Sequence, residues 1–263
     1  MTTRSTEAIP AIEMRDVTAG SMRDMNHIVA RRVNWTLPAG AFCVIGGMQG
    51  TGKSDFLFTT AGLIPPVEGS YRLFGNDMPI YTENRLGERL LLGLVFDGGQ
   101  LFNHLTVSEN IALPLRYHRN LTAAEAAPDV QRLLEWAELT PWADSTPGAM
   151  GRNWQKRVGL ARALMLRPEI LLVDNPLAGL DLRHRAWWLN ALRELSNGPE
   201  WNGGRAVTLV VTADDLRPWR GENRQFAVLQ EQQFTWLGSW DAVERSPDPR
   251  VQELLALAPA SEG

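Results

Sequence analysis

Short runs of apolar residues, with few polar positions between them, recur along the chain. Four of these runs span residues 41–45, 92–96, 170–173 and 207–212. Because strands of a parallel sheet are buried on both faces, such runs predict buried parallel strands. Further strands are predicted at 12–17, 33–37 and 70–74, and a hairpin at 226–230 and 233–237, followed by a short helical tail.

Stretches with helical periodicity lie between these runs, at residues 53–62, 122–138, 154–166 and 183–196. Alternation of strands and helices predicts an α/β fold, with helices on both faces of the sheet. The stretch from about 97 to 166 is mostly helical, which predicts a helical subdomain inserted into the α/β core. We therefore expect one domain over 1–245 and a C-terminal tail over 246–263.

Composition excludes several classes of protein. The chain has 263 residues, 44% of them hydrophobic, and a formal net charge of −4, so no basic surface for nucleic acid is expected. No apolar run approaches the roughly 20 residues that cross a bilayer, so we expect membrane contact only through a partner. The N-terminal residues lack the apolar stretch of a signal peptide, and the single cysteine, Cys43, lies in an apolar run. Both observations favour a reducing, cytoplasmic compartment, with Cys43 packed in the core.

Lysine is scarce in this chain. Of its 26 basic residues only Lys53 and Lys156 are lysines, and coding bias in a GC-rich genome explains the preference for arginine. No role is predicted for Lys156. Together with four nearby arginines, it is expected to form a solvated, ion-paired helix face; these are Arg152, Arg157, Arg162 and Arg167.

The most specific motif is a phosphate-binding loop. Residues 47–54, GMQGTGKS, match G-x-x-x-x-G-K-[ST] between a predicted strand and a predicted helix. Its glycines let backbone N–H groups face phosphate oxygens, Lys53 supplies a compact ammonium, and Ser54 offers an oxygen to Mg²⁺. Asp174, which closes the apolar run 170–173, is predicted to hold the same Mg²⁺ through water. The predicted nucleotide-binding residues are Gly47, Gly50, Thr51, Gly52, Lys53, Ser54 and Asp55.

Three segments carry a resemblance to a known family. Residues 174–181, DNPLAGLD, resemble the D-E-P-x-x-G-L-D run of ABC transporter ATPases, 155–164 resemble the helix after their signature loop, and 101–111 resemble the segment after their Q-loop. The likeness extends from about residue 11 to 245. The tail segment 247–255, PDPRVQELL, is similar to that of Mla-type lipid transport ATPases.

This resemblance implies a P-loop NTPase fold of the ABC type that takes ATP and Mg²⁺. It also implies a transmembrane permease as partner, together with a second ATPase subunit in a homodimer or heterodimer. The chain is then expected on the inner face of the cell membrane, as the nucleotide-binding subunit of a lipid transporter.

Several catalytic positions depart from the family pattern. Asn175 stands where the family has the Glu that polarises the attacking water, and Ala213 stands where it has a His. Asp97 replaces the Q-loop Gln, although a carboxylate there still suits Mg²⁺. The signature loop reads Met150-Gly151-Arg152-Asn153-Trp154, without its Ser and its two glycines. We therefore predict very slow or absent ATP hydrolysis.

Nucleotide binding is also expected to be weakened. Asp55 replaces the Thr that usually follows Ser54, and its charge repels an α-phosphate. Ala19 and Gly20 stand where the family resemblance implies an aromatic ring against adenine.

Two alternatives remain open from sequence. One is a working ATPase, in which Asn175 positions the water and Asp214 or Asp97 is the base. The other is a scaffold subunit that binds no nucleotide, which would be favoured by Asp55 pointing into the phosphate loop.

Overall fold

The computed structural model describes residues 9–79 and 85–256. Ten strands and eight helices follow one another in these residues: β1 (Ile12–Gly20), β2 (Ile28–Leu37), β3 (Phe42–Gly46), α1 (Lys53–Thr60), β4 (Glu68–Leu73), β5 (Asn76–Met78), α2 (Leu86–Arg89), β6 (Leu92–Val95), α3 (Val107–His118), α4 (Ala123–Trp136), α5 (Arg152–Leu164), β7 (Ile170–Val173), α6 (Leu182–Asn197), β8 (Thr208–Ala213), β9 (Arg224–Gln230), β10 (Gln233–Gly238), α7 (Trp240–Arg245) and α8 (Pro249–Ala256). All strands and helices predicted above are present, with shifted ends. The prediction for tail residues 257–263 lies outside the described residues.

A six-stranded sheet forms the centre of the protein, in the order β10-β9-β3-β8-β7-β6. Its strands pair in parallel except for the hairpin of β9 and β10. The apolar strands β3 and β7 are buried along their whole length, which confirms the prediction from continuous apolar runs. Since the carboxyl ends of β3, β7 and β8 share one edge, the segments that follow them meet there.

The two faces of this sheet are covered differently. One face packs against α1 and a second, antiparallel sheet of order β2-β1-β4-β5. The other face packs against the helices that follow β6, namely α3, α5 and α6. The antiparallel sheet was not anticipated from the sequence, which predicted helices as the cover of both faces. Cys43 on β3 is fully buried, as expected.

Helices α3, α4 and α5 pack together as a helical subdomain between β6 and β7. Threonines cap two of them: Thr106 and Thr122 each accept a hydrogen bond from the backbone of a glutamate three residues on, and the glutamate side chain accepts one in return. Within the described residues, no helix is both long and apolar enough to cross a membrane.

The predicted solvated, ion-paired face is wrong for three of its five members, one of which is Arg162, half-buried and donating to the Gly99 carbonyl oxygen at 2.8 Å. Lys156 and Arg157 are buried, and the Arg157 guanidinium lies between the rings of Trp154 and Trp187, 4.6 and 3.9 Å from their centroids. Its Nη1 also donates to the Glu138 carboxylate at 2.7 Å. Aromatic faces and one carboxylate thus replace the water that an arginine on this helix was expected to contact.

Candidate nucleotide-binding site

The phosphate loop joins β3 to α1 and is held close to the strands behind it. Gly50 and Gly52 have φ angles of +84° and +86°, in the left-handed region that favours glycine. A Cβ on Gly52 would overlap Val29 of β2, and one on Gly47 would overlap the Leu229 carbonyl of β9. The loop therefore needs its glycines both for backbone angle and for space.

The N-terminus of α1 faces the cleft above this loop. Its N-cap is Gly52, and no side chain caps the first-turn N–H groups among the described residues. These N–H groups and the positive end of the helix dipole form a site for an anion. The cleft has a volume of about 770 Å³, and Lys53, Ser54 and Asp55 of α1 line it.

Lys53 is almost fully buried, and its ammonium has three acceptors. Nζ donates to the carbonyl oxygens of Gly47 and Met48 at 2.6 and 2.8 Å. It also lies 2.9 Å from Oδ1 of Asp214, in the segment after β8. Two of the three N–H groups of this ammonium are thus used by loop carbonyls, and its charge is paired with Asp214.

The second oxygen of Asp214 is held by Asn175. Asn175 Nδ2 donates to Asp214 Oδ2 at 2.7 Å, and the Asn175 backbone N–H donates to Thr212 Oγ1 at 2.8 Å. The φ of Asn175 is 41°, a left-handed angle that asparagine tolerates better than most residues. The amide at this position is thus a donor to a carboxylate.

Asp174 and Ser54 lie together at the floor of the cleft. The Thr212 hydroxyl donates to the Asp174 carboxylate at 2.8 Å, and the Ser54 hydroxyl lies near enough to the same carboxylate to lower its pKa. Burial raises the pKa of Asp174, and these two hydroxyls oppose the rise only in part. The proximity of Ser54 to Asp174 brings together two of the three residues predicted to bind metal.

Asp97, the third of these residues, lies just beyond β6 and has a lysine partner. Lys156 Nζ is 2.8 Å from Asp97 Oδ1 and also donates to the carbonyl oxygens of Asn175 and Ala178. Asp97 lines the cleft, and its charge contributes to raising the pKa of Asp174. Lys156 therefore ties the segment after β6, the segment after β7 and helix α5 to one another.

Asp55 is turned toward the rim of the cleft. Its Oδ1 accepts a hydrogen bond from the Met22 backbone N–H at 2.8 Å. Met22 belongs to a segment after β1 that lines the cleft with Ser21, Arg23 and His27. These rim residues were not identified from sequence, since they match no motif. Ala19 lies buried in β1 and, with Gly20, offers no ring to this cleft.

The residues present fit a nucleoside phosphate with a divalent cation. Uncapped N–H groups and a lysine face the space above the loop, as a chain of phosphates requires. The Ser54 hydroxyl and the Asp174 carboxylate, already close to each other, are the hard oxygen donors that Mg²⁺ prefers. Within residues 9–79 and 85–256 no cluster of three His, Cys, Asp or Glu residues suits a metal on its own.

The remaining predicted positions bring no reactive group to the cleft. Ala213 closes β8, is buried and carries only a methyl group. The altered signature loop leads into α5, whose N-cap is Gly151 without a side-chain cap, and Arg152 begins the helix. Gln155 holds this turn by donating to the carbonyl oxygens of Pro147 and Met150.

Known ATP-binding proteins of transport systems are similar in sequence to this chain over most of its length. The sequence model of the family described as "ABC transporter" matches residues 30–178. The Escherichia coli (strain K12) intermembrane phospholipid transport system ATP-binding protein MlaF is 29% identical over 245 residues, covering 93% of this chain and 88% of that protein. The probable ribonucleotide transport ATP-binding protein mkl of Mycobacterium tuberculosis (strain ATCC 25618 / H37Rv) is 31% identical over 257 residues, covering 95% and 68%.

A solved structure shares the fold over most of this chain. The dimeric ATP-binding cassette MJ0796, in a post-hydrolysis state bound to ADP and Pi, superposes with a TM-score of 0.73 at 28% identity. The match covers 87% of this chain and 100% of that one. The mixed α/β fold with its helical subdomain is therefore the fold of these cassettes, as the sequence predicted.

Proposed function

Because the chain belongs to the ABC transporter family, we propose that it is a nucleotide-binding subunit that binds ATP with Mg²⁺ and hydrolyses it very slowly or not at all. One observation carries this proposal: the phosphate cradle is formed, while the residue after Asp174 is an amide already bonded to Asp214. Binding and hydrolysis need different groups, and only the first set is present here.

ATP hydrolysis requires a proton transfer that this site is not equipped to make. A general base must take a proton from the attacking water, and a neutral carboxamide cannot do so at neutral pH. Ala213 offers no hydrogen-bonding side chain at the position after β8. Loss of a general base alone costs on the order of a hundredfold or more in rate. The amide at Asn175 and the methyl group at Ala213 both affect this one reaction, so little turnover of ATP is expected.

The alternative of an active ATPase needs a free carboxylate in place of the missing base. Asp214 is held by Lys53 and by Asn175, and Asp97 is held by Lys156. Each of these carboxylates therefore already has an ammonium within 2.9 Å, so neither is free of partners where an attacking water would need a base. These contacts favour the binding subunit over the unusual ATPase.

The alternative of a nucleotide-free scaffold needs a blocked phosphate loop. Asp55 was the candidate to block it, but its carboxylate is bound to the Met22 N–H at the rim. The cleft above the loop stays open to a ligand of nucleotide size. Both features support nucleotide binding.

We also propose the surroundings of this subunit. It would sit at the inner face of the membrane, held by a transmembrane permease, and pair with a second ATPase subunit through the domain spanning residues 1–245. For the cargo we propose lipid, on the strength of the MlaF relative and the tail segment 247–255, which forms most of α8. The mkl relative, named for ribonucleotides, is the reason that cargo must be measured.

The test is to measure nucleotide binding and phosphate release together, with and without the co-encoded permease. We expect saturable, Mg²⁺-dependent binding of ATP and no phosphate release above a Lys53→Ala control. Turnover that Lys53→Ala abolishes would overturn the claim of impaired hydrolysis. Absence of any nucleotide binding to the folded protein would favour the scaffold instead.

A further inference from the structure

We infer that Asp214 makes this cleft select nucleoside diphosphates over triphosphates. The inference rests on the proposed function, because it concerns which nucleotide the same cleft prefers. It follows from the groups that surround the Lys53 ammonium in the absence of nucleotide.

The charge of the Lys53 ammonium is already paired within the protein. Two of its N–H groups donate to backbone carbonyls of the phosphate loop itself, and Asp214 forms an ion pair with it at 2.9 Å. A lysine in this loop serves the β- and γ-phosphates. Of the three groups around the ammonium, only Asp214 comes from outside the phosphate loop. Its carboxylate is an anion, as a phosphate oxygen is.

Asp214 is held in that position from its other side. Asn175 donates to Oδ2 at 2.7 Å, so both carboxylate oxygens are fixed by partners. A glutamate at position 175 would set two carboxylates against each other, and the asparagine removes this conflict. Its neighbour Ala213 adds no side chain that would compete for the same space. The arrangement therefore depends on the very residues that depart from the family pattern.

The carboxylate faces the phosphate loop from the end of the neighbouring strand. Strand β8 is next to β3 in the sheet, with Gly46 opposite Ala213, so Asp214 faces the phosphate loop across neighbouring strand ends. Within the described part of the chain, the first-turn N–H groups of α1 have no side-chain cap and do not contact Asp214, so a β-phosphate can be bound there by backbone groups alone. A third phosphate must approach Lys53, where it meets a fixed negative charge.

The experiment compares affinities for two ligands in three proteins. The full chain, Asp214→Asn and Asp215→Asn are titrated with ADP and with a non-hydrolysable ATP analogue, each with Mg²⁺ and with EDTA. Asp215→Asn is the matched control, because it removes the same charge one residue away. Asp215 forms its ion pair with Arg217 at 2.9 Å and does not line the cleft.

We expect the full chain and Asp215→Asn to bind ADP about tenfold more tightly than the ATP analogue. In Asp214→Asn this ratio should fall to about one, through tighter binding of the analogue. Equal or tighter binding of the analogue by the full chain would overturn the inference, as would a ratio that Asp214→Asn leaves unchanged. If the protein melts normally but binds neither ligand, the proposed nucleotide binding fails as well. If both ligands bind but without the expected preference, only the inference about Asp214 fails.

Discussion

The ammonium of Lys156 lies 2.8 Å from the carboxylate of Asp97, although the two residues are 59 positions apart in sequence. The lysine side chain is buried and the aspartate is about half exposed. The same ammonium donates to the carbonyl oxygens of Asn175 and Ala178. This contact connects the helical subdomain to the floor of the cleft, so its loss should destabilise both.

A double-mutant cycle measures this pair. Asp97→Gln leaves a buried ammonium without its anion, and Lys156→Gln removes the cation but keeps an amide donor for the two carbonyls. We expect each single variant to lower the free energy of unfolding by about 1–2 kcal/mol, with a coupling energy of about 1 kcal/mol in the double variant. Urea unfolding of the four proteins gives these values. Additive losses would show that the two side chains do not interact.

Asn175→Glu should not restore ATP hydrolysis. The new carboxylate would lie beside Asp214, which now accepts a hydrogen bond from Asn175, so the variant should melt at a lower temperature and turn over no faster. Adding Asp214→Asn should recover much of the lost stability. Thermal melting and a phosphate-release assay test both points. A rise of about a hundredfold in turnover with Asn175→Glu alone would contradict this reasoning.

Asp174→Asn should stabilise the nucleotide-free protein at neutral pH. Burial raises the pKa of Asp174, so the folded protein binds that proton more tightly than the unfolded chain. The stability that Asp174 contributes is therefore greatest below the pKa that this carboxyl group has in the unfolded chain. It falls as pH rises through the pKa that the group has in the folded protein. We expect the variant to melt about 2–4 °C higher than the unaltered protein at about pH 8, with the difference shrinking toward pH 4.

The same variant should lose the further stabilisation that Mg²⁺ and nucleotide give together, because the carboxylate is needed when the cation is bound. Asp215→Asn serves as the control in both measurements. A variant that melts lower than the unaltered protein at every pH would contradict the assigned cost of burying this charge.

Cys43 should be unreactive until the protein unfolds. Burial in β3 raises the pKa of its thiol, so the thiolate that attacks alkylating reagents is scarce and shielded. A thiol reagent such as iodoacetamide is expected to label the chain only in denaturant, along the same transition that circular dichroism follows. Labelling of the native protein at a rate near that of a free cysteine would show that β3 opens locally.

Much of this structure could be predicted from the pattern of neighbouring residues in the sequence, and the rest could not. The strands β3 and β7 and the phosphate loop followed from apolar runs and from glycine spacing, which are properties of neighbouring residues. The burial of Arg157 did not, because it depends on Trp154, which is near in sequence, and on Trp187, which is not. Charge alone predicted a solvated residue there.

In the candidate site, too, only part of the arrangement could be predicted from the sequence. Its individual residues were identified by motif, including Lys53, Asp174 and Asn175. Their partners were not, since Asp214 meets Lys53 only because β8 lies next to β3. Lys156, for which the sequence suggested no role, turned out to hold Asp97. Motifs thus identified the groups, and the sheet order determined what each group contacts.

The position of β3 between β8 and β9 also bears on how the protein is made. The phosphate loop follows β3, yet both neighbours of that strand in the sheet, β8 and β9, come much later in the sequence. Pairings between such distant segments form late in folding. A nascent chain on the ribosome would therefore expose the apolar β3 until Gln230 has emerged, and it would gain its nucleotide cleft only after β8 and β9 have been made.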